Sequence, residues 1–145
     1  MWAQGKINIK RGEMKKKPSR KTLVKKADDL WRNIIKVNGK CEWCGSSGGV
    51  LHAHHIMGRS RQSLRWDLRN GVCLCYSCHT PYGAHSPNAA KVEQYLIWIK
   101  SYRPEDWKYL KDKLKQPVET ITTVKLMDII ENLKGLDTKR QSNIN

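Results

Sequence analysis

The sequence lacks any apolar run long enough to span a membrane. The chain has 145 residues, and no stretch approaches the roughly 20 consecutive apolar residues that a transmembrane helix needs. Its N-terminus also lacks an apolar run after the first charged residues, which argues against a secretory signal. We therefore expect an intracellular, cytoplasmic protein that does not associate with a membrane.

Acidic residues are scarce relative to basic ones. The chain has 13 Asp and Glu against 28 Lys and Arg, a formal net charge of +15. Residues 1–26 hold ten of these basic residues and one acid. A basic segment joined to a basic body is typical of a nucleic-acid-binding protein. The alternative, a solvated tail that aids solubility, is less favoured because the rest of the chain is basic as well.

The cysteines are few and odd in number, which argues against a disulfide scaffold. Four of the five form the pairs Cys41-x-x-Cys44 and Cys75-x-x-Cys78. Two such pairs can supply the four thiolates of a structural Zn2+ site. A redox-active CxxC is the competing interpretation. Cys73 is left over, and we expect a small buried thiol, although an exchange with Cys75 as the zinc ligand stays open.

The spacing of apolar residues predicts a mainly helical chain with one hairpin. The fold class that we expect is α+β, with flanking helices around a zinc knuckle. This term denotes the turn formed by a Cys-x-x-Cys pair that binds zinc. Residues 58–69 are polar and are predicted to form an irregular loop. The predicted helices cover residues 22–37, 88–102, 104–116 and 122–133, and the predicted strands cover 50–56 and 71–74.

All five histidines of the chain lie between positions 52 and 85, around the cysteine pairs. A lone histidine is usually a satisfied core or surface residue, but five grouped around a metal knuckle are not well explained in that way. His52 and His54 would share one face of the first strand, and His55 would point to the other. His79 follows Cys78 directly.

This constellation resembles the HNH nuclease family. The resemblance is carried by Ala53-His54-His55-Ile56 and by the run from Arg69 to His79, with its central Asn70 and its Cys-x-x-Cys-His ending. It covers about residues 41–85 and implies a ββα-metal core, a hairpin followed by a helix. Within this family the sequence resembles small phage-encoded members, including a phage recombination-protein group.

The resemblance implies a role for each site residue. His54, His79 and His85 would hold a divalent catalytic metal, and His55 would act as general base on the attacking water. The side-chain oxygen of Asn70 would hold the His55 ring and fix its tautomer. The implied reaction is hydrolysis of a phosphodiester bond in DNA, leaving 5′-phosphate and 3′-hydroxyl ends.

Two departures from the family pattern affect the metal site. Many members carry Asp where this chain has His54, and an imidazole favours Zn2+, Ni2+ or a similar transition ion over Mg2+. The candidate catalytic ions are Mn2+, Ni2+, Zn2+ and Mg2+. His85 follows His79 by six residues, with Pro81 and Gly83 between them, which does not match a helical period. Either His85 comes from a distorted turn or the third ligand is another residue. His52 would be a partner of a metal ligand or an exposed histidine.

Four arginines follow the first strand, and we expect them to contact DNA phosphates. The alternative is a loop made soluble by charge. Trp66, within the same segment, could stack on a base but is better explained as a core residue. The four predicted phosphate contacts are Arg59, Arg61, Arg65 and Arg69.

The expected organisation has three parts. Residues 1–19 form a flexible basic arm, residues 20–116 the nuclease domain with its zinc site, and residues 117–145 a C-terminal helix with a frayed tail. The leading hypothesis is a metal-dependent DNA endonuclease, phage-encoded and acting in the host cell. The alternatives are a non-catalytic zinc-stabilised accessory protein that binds nucleic acid during phage recombination or DNA packaging, and a thiol-redox protein. Phage recombination or packaging proteins are possible partners.

Overall fold

The computed structural model describes residues 16–80 and 82–143. Most of the predicted basic arm, residues 1–15, lies outside the described residues. The chain is mainly helical with one two-stranded antiparallel sheet, which confirms the predicted α+β class. In chain order the elements are α1 (Arg20–Ile35), β1 (Leu51–His55), α2 (Gln62–Arg65), a 3-10 turn (Leu68–Asn70), β2 (Gly71–Cys75), α3 (Tyr76–His79), α4 (Ala89–Tyr102), α5 (Pro104–Lys115) and α6 (Thr123–Ser142).

The start of helix α1 is capped by the side chain of Ser19. The Ser19 hydroxyl accepts a hydrogen bond from the Thr22 amide, an N-cap that satisfies one orphan donor of the first turn. Gly39, with φ of +62°, reverses the chain after the helix. The apolar stripe of α1 packs against α6, and its buried members are Leu23, Ala27, Trp31 and Ile34.

Helix α6 is longer than predicted. It was expected to end at residue 133 and to be followed by a frayed tail, but the helix continues through Gly135 to Ser142. The Arg140 guanidinium donates to the carbonyl of Ile34 at 3.2 Å, which ties the last turns of α6 to the end of α1. A glycine costs a helix interior only about 1 kcal/mol, so this tertiary contact and the packing of Leu133 are enough to carry the helix through it.

The hairpin of β1 and β2 lies between α1 and α4. Its register pairs Leu51 with Cys75 and His55 with Gly71. On one face, Gly71 lies against Trp31 of α1, where an added Cβ would collide with the helix side chains. On the other face, the apolar side chains of β2 pack with those of α4, in a cluster that contains Val72, Leu74, Tyr95 and Ile99. The alternation of β1 therefore sends His54 toward α4 and His55 toward α1.

The segment after β1 is more ordered than predicted. It contains α2 and the 3-10 turn, where an irregular loop was expected. The Asp67 side chain accepts from the Arg69 amide and caps the 3-10 turn. Leu64 is fully buried and Trp66 is 6% exposed, which confirms the core interpretation of Trp66.

The two helices that follow α3 begin within one residue of the predicted starts. Asn88 caps α4 and Pro104 occupies the first turn of α5. Helix α4 buries Tyr95 and Ile99, and Tyr102 at its end is half-exposed. Within the described residues, every helix is too short or too polar to cross a membrane.

Candidate metal centres and histidine cleft

The two cysteine pairs meet in one cluster. Their four sulfur atoms, from Cys41, Cys44, Cys75 and Cys78, all lie within 4.8 Å of one another. The sulfur atoms of Cys44 and Cys75 are 3.7 Å apart. Tetrahedral zinc with bonds of about 2.3 Å requires an edge of about 3.8 Å. The cluster therefore fits a four-cysteine zinc ion.

Backbone amides lower the pKa of one of these four thiols, that of Cys41. Burial raises the pKa of Cys41, but the backbone amides of Cys44, Cys75 and Trp43 donate to its sulfur and bring the pKa down to about 7. Burial and the neighbouring thiols hold the pKa of Cys78 far above its usual range. A zinc ion bound there would displace the protons that this crowding keeps on the sulfur atoms.

Cys73 lies outside the four-sulfur cluster. Its side chain is 1% exposed, and burial raises its pKa to about 11. Its strand partner is Ala53, and its amide donates to the Glu42 carboxylate at 2.8 Å. The alternative in which Cys73 replaces Cys75 does not match this geometry.

A second cluster is formed by His54, His79 and His85, whose ring nitrogens come within 4.8 Å of one another. The ring centroids are 4.7 to 5.3 Å apart. Burial and, to a smaller extent, the neighbouring histidines lower the pKa of His54 to about 3 and that of His79 to about 4. Both rings are thus neutral at pH 7, the form that binds a metal ion.

His85 reaches this cluster through a tight loop and not through a helical repeat. Helix α3 ends at His79, and the His85 amide then donates to the His79 carbonyl at 2.8 Å. The Ala84 amide donates to the Cys78 carbonyl at 3.1 Å. Gly83 makes this return possible, since a side chain there would collide with the same Cys78 carbonyl. The geometry is the distorted turn that the six-residue spacing required.

His55 is fixed on the other side of β1. Its ring stacks on the indole of Trp31, with centroids 3.9 Å apart and an angle of 8° between the planes. Its Nε2 lies 2.8 Å from the carbonyl oxygen of Arg65. A carbonyl can only accept, so Nε2 carries the hydrogen and Nδ1 has the lone pair. Burial lowers the pKa of His55, against the opposing effect of the Arg65 carbonyl.

The structure corrects the expected contact between Asn70 and His55. Asn70 is fully buried; its Nδ2 donates to the Leu64 carbonyl at 3.0 Å and its Oδ1 accepts from the Met57 amide at 2.7 Å. The amide of Asn70 is therefore used to join the end of β1 to α2. The backbone carbonyl of Arg65 takes the place that was predicted for Asn70.

The three-histidine cluster and His55 line one common cleft of about 350 Å³. His54, His79 and His85 lie on its wall together with His55. Helix α1 supplies another part of the wall. Three residues that sequence reasoning missed lie there: Asp28, Trp31 and Arg32.

These α1 residues carry no local signal of function. Asp28 accepts two hydrogen bonds from the Arg65 guanidinium, at 2.7 and 3.0 Å, and one from Trp66 Nε1 at 2.9 Å. Burial raises the pKa of Asp28, and these hydrogen bonds lower it by more. In the sequence, Asp28 and Trp31 are ordinary members of an amphipathic helix, and their common face with Arg32 was the only available hint.

The four predicted phosphate-binding arginines occupy different environments. Arg59 is exposed on the wall of the cleft. Arg65 is paired with Asp28, and Arg61 donates to the carbonyl of Leu114. Arg69 lies over the Tyr109 ring, with the guanidinium carbon 4.5 Å from its centroid. Because Arg61 and Arg65 are engaged by the fold, Arg59 is the member of the set placed to meet a phosphate in the cleft.

His52 contacts the metal-site cluster without joining it. Its ring stacks on His79 with centroids 4.9 Å apart and planes 4° from parallel. Its Nε2 is buried and has no hydrogen-bond partner among the described residues.

Comparison with known proteins gives one finding. Residues 41–85 match the family model described as HNH endonuclease, which confirms the resemblance that the sequence suggested. The matched segment includes both cysteine pairs and all five histidines. No curated protein and no solved structure matches the chain. The family match supports a nuclease-type function and a nucleic-acid substrate.

Proposed function

We propose, from the HNH segment at residues 41–85 and the cleft built around it, that the protein is a metal-dependent DNA endonuclease. The observation that carries this proposal is the composition of the cleft wall. The cluster of His54, His79 and His85 shares this wall with His55, whose tautomer is fixed by a backbone carbonyl. A binding protein does not need that combination.

His55 is the proposed general base. Its Nδ1 accepts a proton from a water molecule as the water oxygen forms a bond to phosphorus. The bond from phosphorus to the 3′ oxygen breaks, which leaves a 5′-phosphate and a 3′-hydroxyl. Trp31 and the Arg65 carbonyl hold the ring in one plane and one tautomer. Arg59 lies where it can bind the charged phosphate oxygens.

The proposed ligands of the catalytic ion are His54, His79 and His85. A divalent ion there would neutralise charge on the phosphate and on the leaving oxygen. Three imidazoles are a donor set that suits Mn2+, Ni2+ or Zn2+ better than Mg2+. The four-cysteine cluster would hold a structural Zn2+ that joins the start of the HNH segment to β2 and α3.

The proposed domain division places the nuclease in residues 20–116. The C-terminal helix, in residues 117–145, packs on α1 and shares its apolar core. Since α1 also supplies Trp31, the HNH segment depends on chain outside the matched residues. As expectations, the proposal also includes a phage origin and action in the host cytoplasm. It further includes association with recombination or packaging proteins.

Plasmid cleavage tests the function. Supercoiled plasmid is incubated with the protein and Mn2+, Ni2+ or Mg2+, and the His55→Ala variant, purified in parallel, controls for contaminating nucleases. We expect cleavage by the parent and loss of at least about 100-fold in the variant, with zinc content unchanged. The variant loses the Trp31 stacking and the bond to the Arg65 carbonyl, so the comparison requires that it is still folded at the assay temperature. Equal cleavage by both would contradict the role of His55. DNA binding by a parent that never cleaves would favour the non-catalytic accessory protein.

A further inference from the structure

We infer that the exposed face of α1 formed by Lys21, Lys25 and Arg32, here termed the α1 basic face, binds DNA phosphates next to the cleft. This inference rests on the proposed function, because it names a second contact surface for the same substrate. None of the three residues belongs to the segment that matches the HNH family.

The geometry of α1 places these cations in one row. At 100° per residue, Lys21, Lys25 and Arg32 fall within about 40° of each other around the helix. With a rise of 1.5 Å per residue they extend over about 16 Å. Arg32 lines the cleft together with His54 and His55. The row therefore starts at the proposed catalytic site and leads away from it.

The acidic residues near this row do not cancel its charge. Asp29 is shared by Lys25, at 2.9 Å, and Arg32. All three side chains are at least 44% exposed, so these pairs contribute little and are easily exchanged for a phosphate. Asp28, which lies nearest to the cleft, is already paired with Arg65. One carboxylate against three cations leaves the face positive.

The length of the row matches a nucleic-acid backbone. One strand of duplex DNA carries a phosphate every 3.4 Å along the axis, so about 16 Å covers roughly five phosphates. Lys16 and Lys17, which precede α1, are exposed as well. The α1 basic face is thus fitted to the backbone on one side of the scissile phosphate.

The salt dependence of binding tests this surface. Duplex DNA labelled with a fluorophore is titrated with the His55→Ala protein, without added divalent metal, at several salt concentrations. The logarithm of the DNA-binding constant falls linearly as the logarithm of the salt concentration rises. Replacing Lys21, Lys25 and Arg32 by alanine should make this fall less steep, reducing the magnitude of the slope by about 2 to 3. The control replaces Lys108, Lys111 and Lys139, which are exposed on α5 and α6, and removes the same charge. Its slope should stay close to that of the parent.

The outcomes separate this inference from the proposed function. Equal slopes for the two triple variants would overturn the inference that the α1 basic face binds DNA. An absence of salt-dependent binding by the parent would overturn it as well. Cleavage is measured independently on chains that retain His55. If the parent does not cleave but the slope changes as predicted, the proposed nuclease function is wrong and the inferred DNA-binding surface stands. Melting temperatures verify that both triple variants are folded.

Discussion

The indole of Trp31 lies flat against the imidazole of His55, with ring centroids 3.9 Å apart. Trp31 is 1% exposed and is itself fixed by a hydrogen bond from Nε1 to the Asp67 carbonyl at 3.1 Å. Gly71, which pairs with His55 across the hairpin, leaves the space that the indole fills. A helix outside the HNH segment therefore sets the plane of the proposed catalytic base.

Trp31→Phe tests this dependence. The variant keeps an aromatic ring in the core but loses the bond to Asp67 and part of the stacking surface. We expect kcat to fall by about 10-fold or more, because small displacements of a reacting group are costly, and a stability loss of about 1–2 kcal/mol. Single-turnover cleavage well below the melting temperature separates the two effects. An unchanged rate would show that the stacking does not position His55.

Gly83→Ala should disturb the histidine site through the backbone. The new Cβ would collide with the Cys78 carbonyl and push the 79–85 loop away, which moves His85. We expect the affinity of the histidine site for Ni2+ or Mn2+, measured by calorimetry, to fall about 10-fold to 100-fold. The matched control is Gly135→Ala, where a Cβ meets open space in a helix. That control should keep the affinity and gain up to about 1 kcal/mol of stability.

Acidification should destabilise the chain through His54 when the histidine site holds no metal. Its pKa is about 3 in the folded chain and 6.5 ordinarily, so below pH 6.5 the unfolded chain binds more protons. The contribution of His54 to stability therefore falls as the pH drops, by about 0.8 kcal/mol between pH 7.5 and 6.0. Urea unfolding at both pH values measures the change.

The His54→Gln variant is the reference for that experiment. It keeps the four cysteines, whose own pH dependence then contributes equally to both chains. The parent should lose about 0.8 kcal/mol more than this variant over the same interval. Identical losses would show that His54 is not buried as a neutral ring.

Cys75 and Cys73 form a matched pair for the zinc site. They lie two residues apart on β2 and are both buried, but only Cys75 belongs to the four-sulfur cluster. Cys75→Ala should lose the zinc and several kcal/mol of folding free energy. Cys73→Ala should retain the zinc ion of the four-cysteine cluster, with those four thiols protected. Elemental analysis with thiol titration measures both, and zinc loss from Cys73→Ala would mean that the ligands are wrongly assigned.

The sequence was informative where function depends on spacing along the chain. The two CxxC pairs and the adjacent His54 and His55 were recognisable because a knuckle and a strand fix the directions of nearby side chains. The helices were predicted from their apolar period, and the start of α5 from Pro104.

The remaining features depend on contacts between distant segments. The stacking of Trp31 on His55 joins residues 24 positions apart, and the Arg65 carbonyl that holds His55 has no side-chain signature. Asn70 was given the wrong hydrogen-bond partners because sequence does not show which buried amide groups need one. The continuation of α6 past Gly135 depends on Arg140 and α1.

Anomalous diffraction from crystals grown with Zn2+ and soaked in Mn2+ or Ni2+ tests the central claim most directly. We predict two metal peaks per chain. One lies about 2.3 Å from the sulfur atoms of the four clustered cysteines, and the other lies about 2.0–2.2 Å from ring nitrogens of His54, His79 and His85. The second peak must be open to the cleft beside His55. A chain that binds metal at the cysteines but shows no ion at the three histidines would contradict the account.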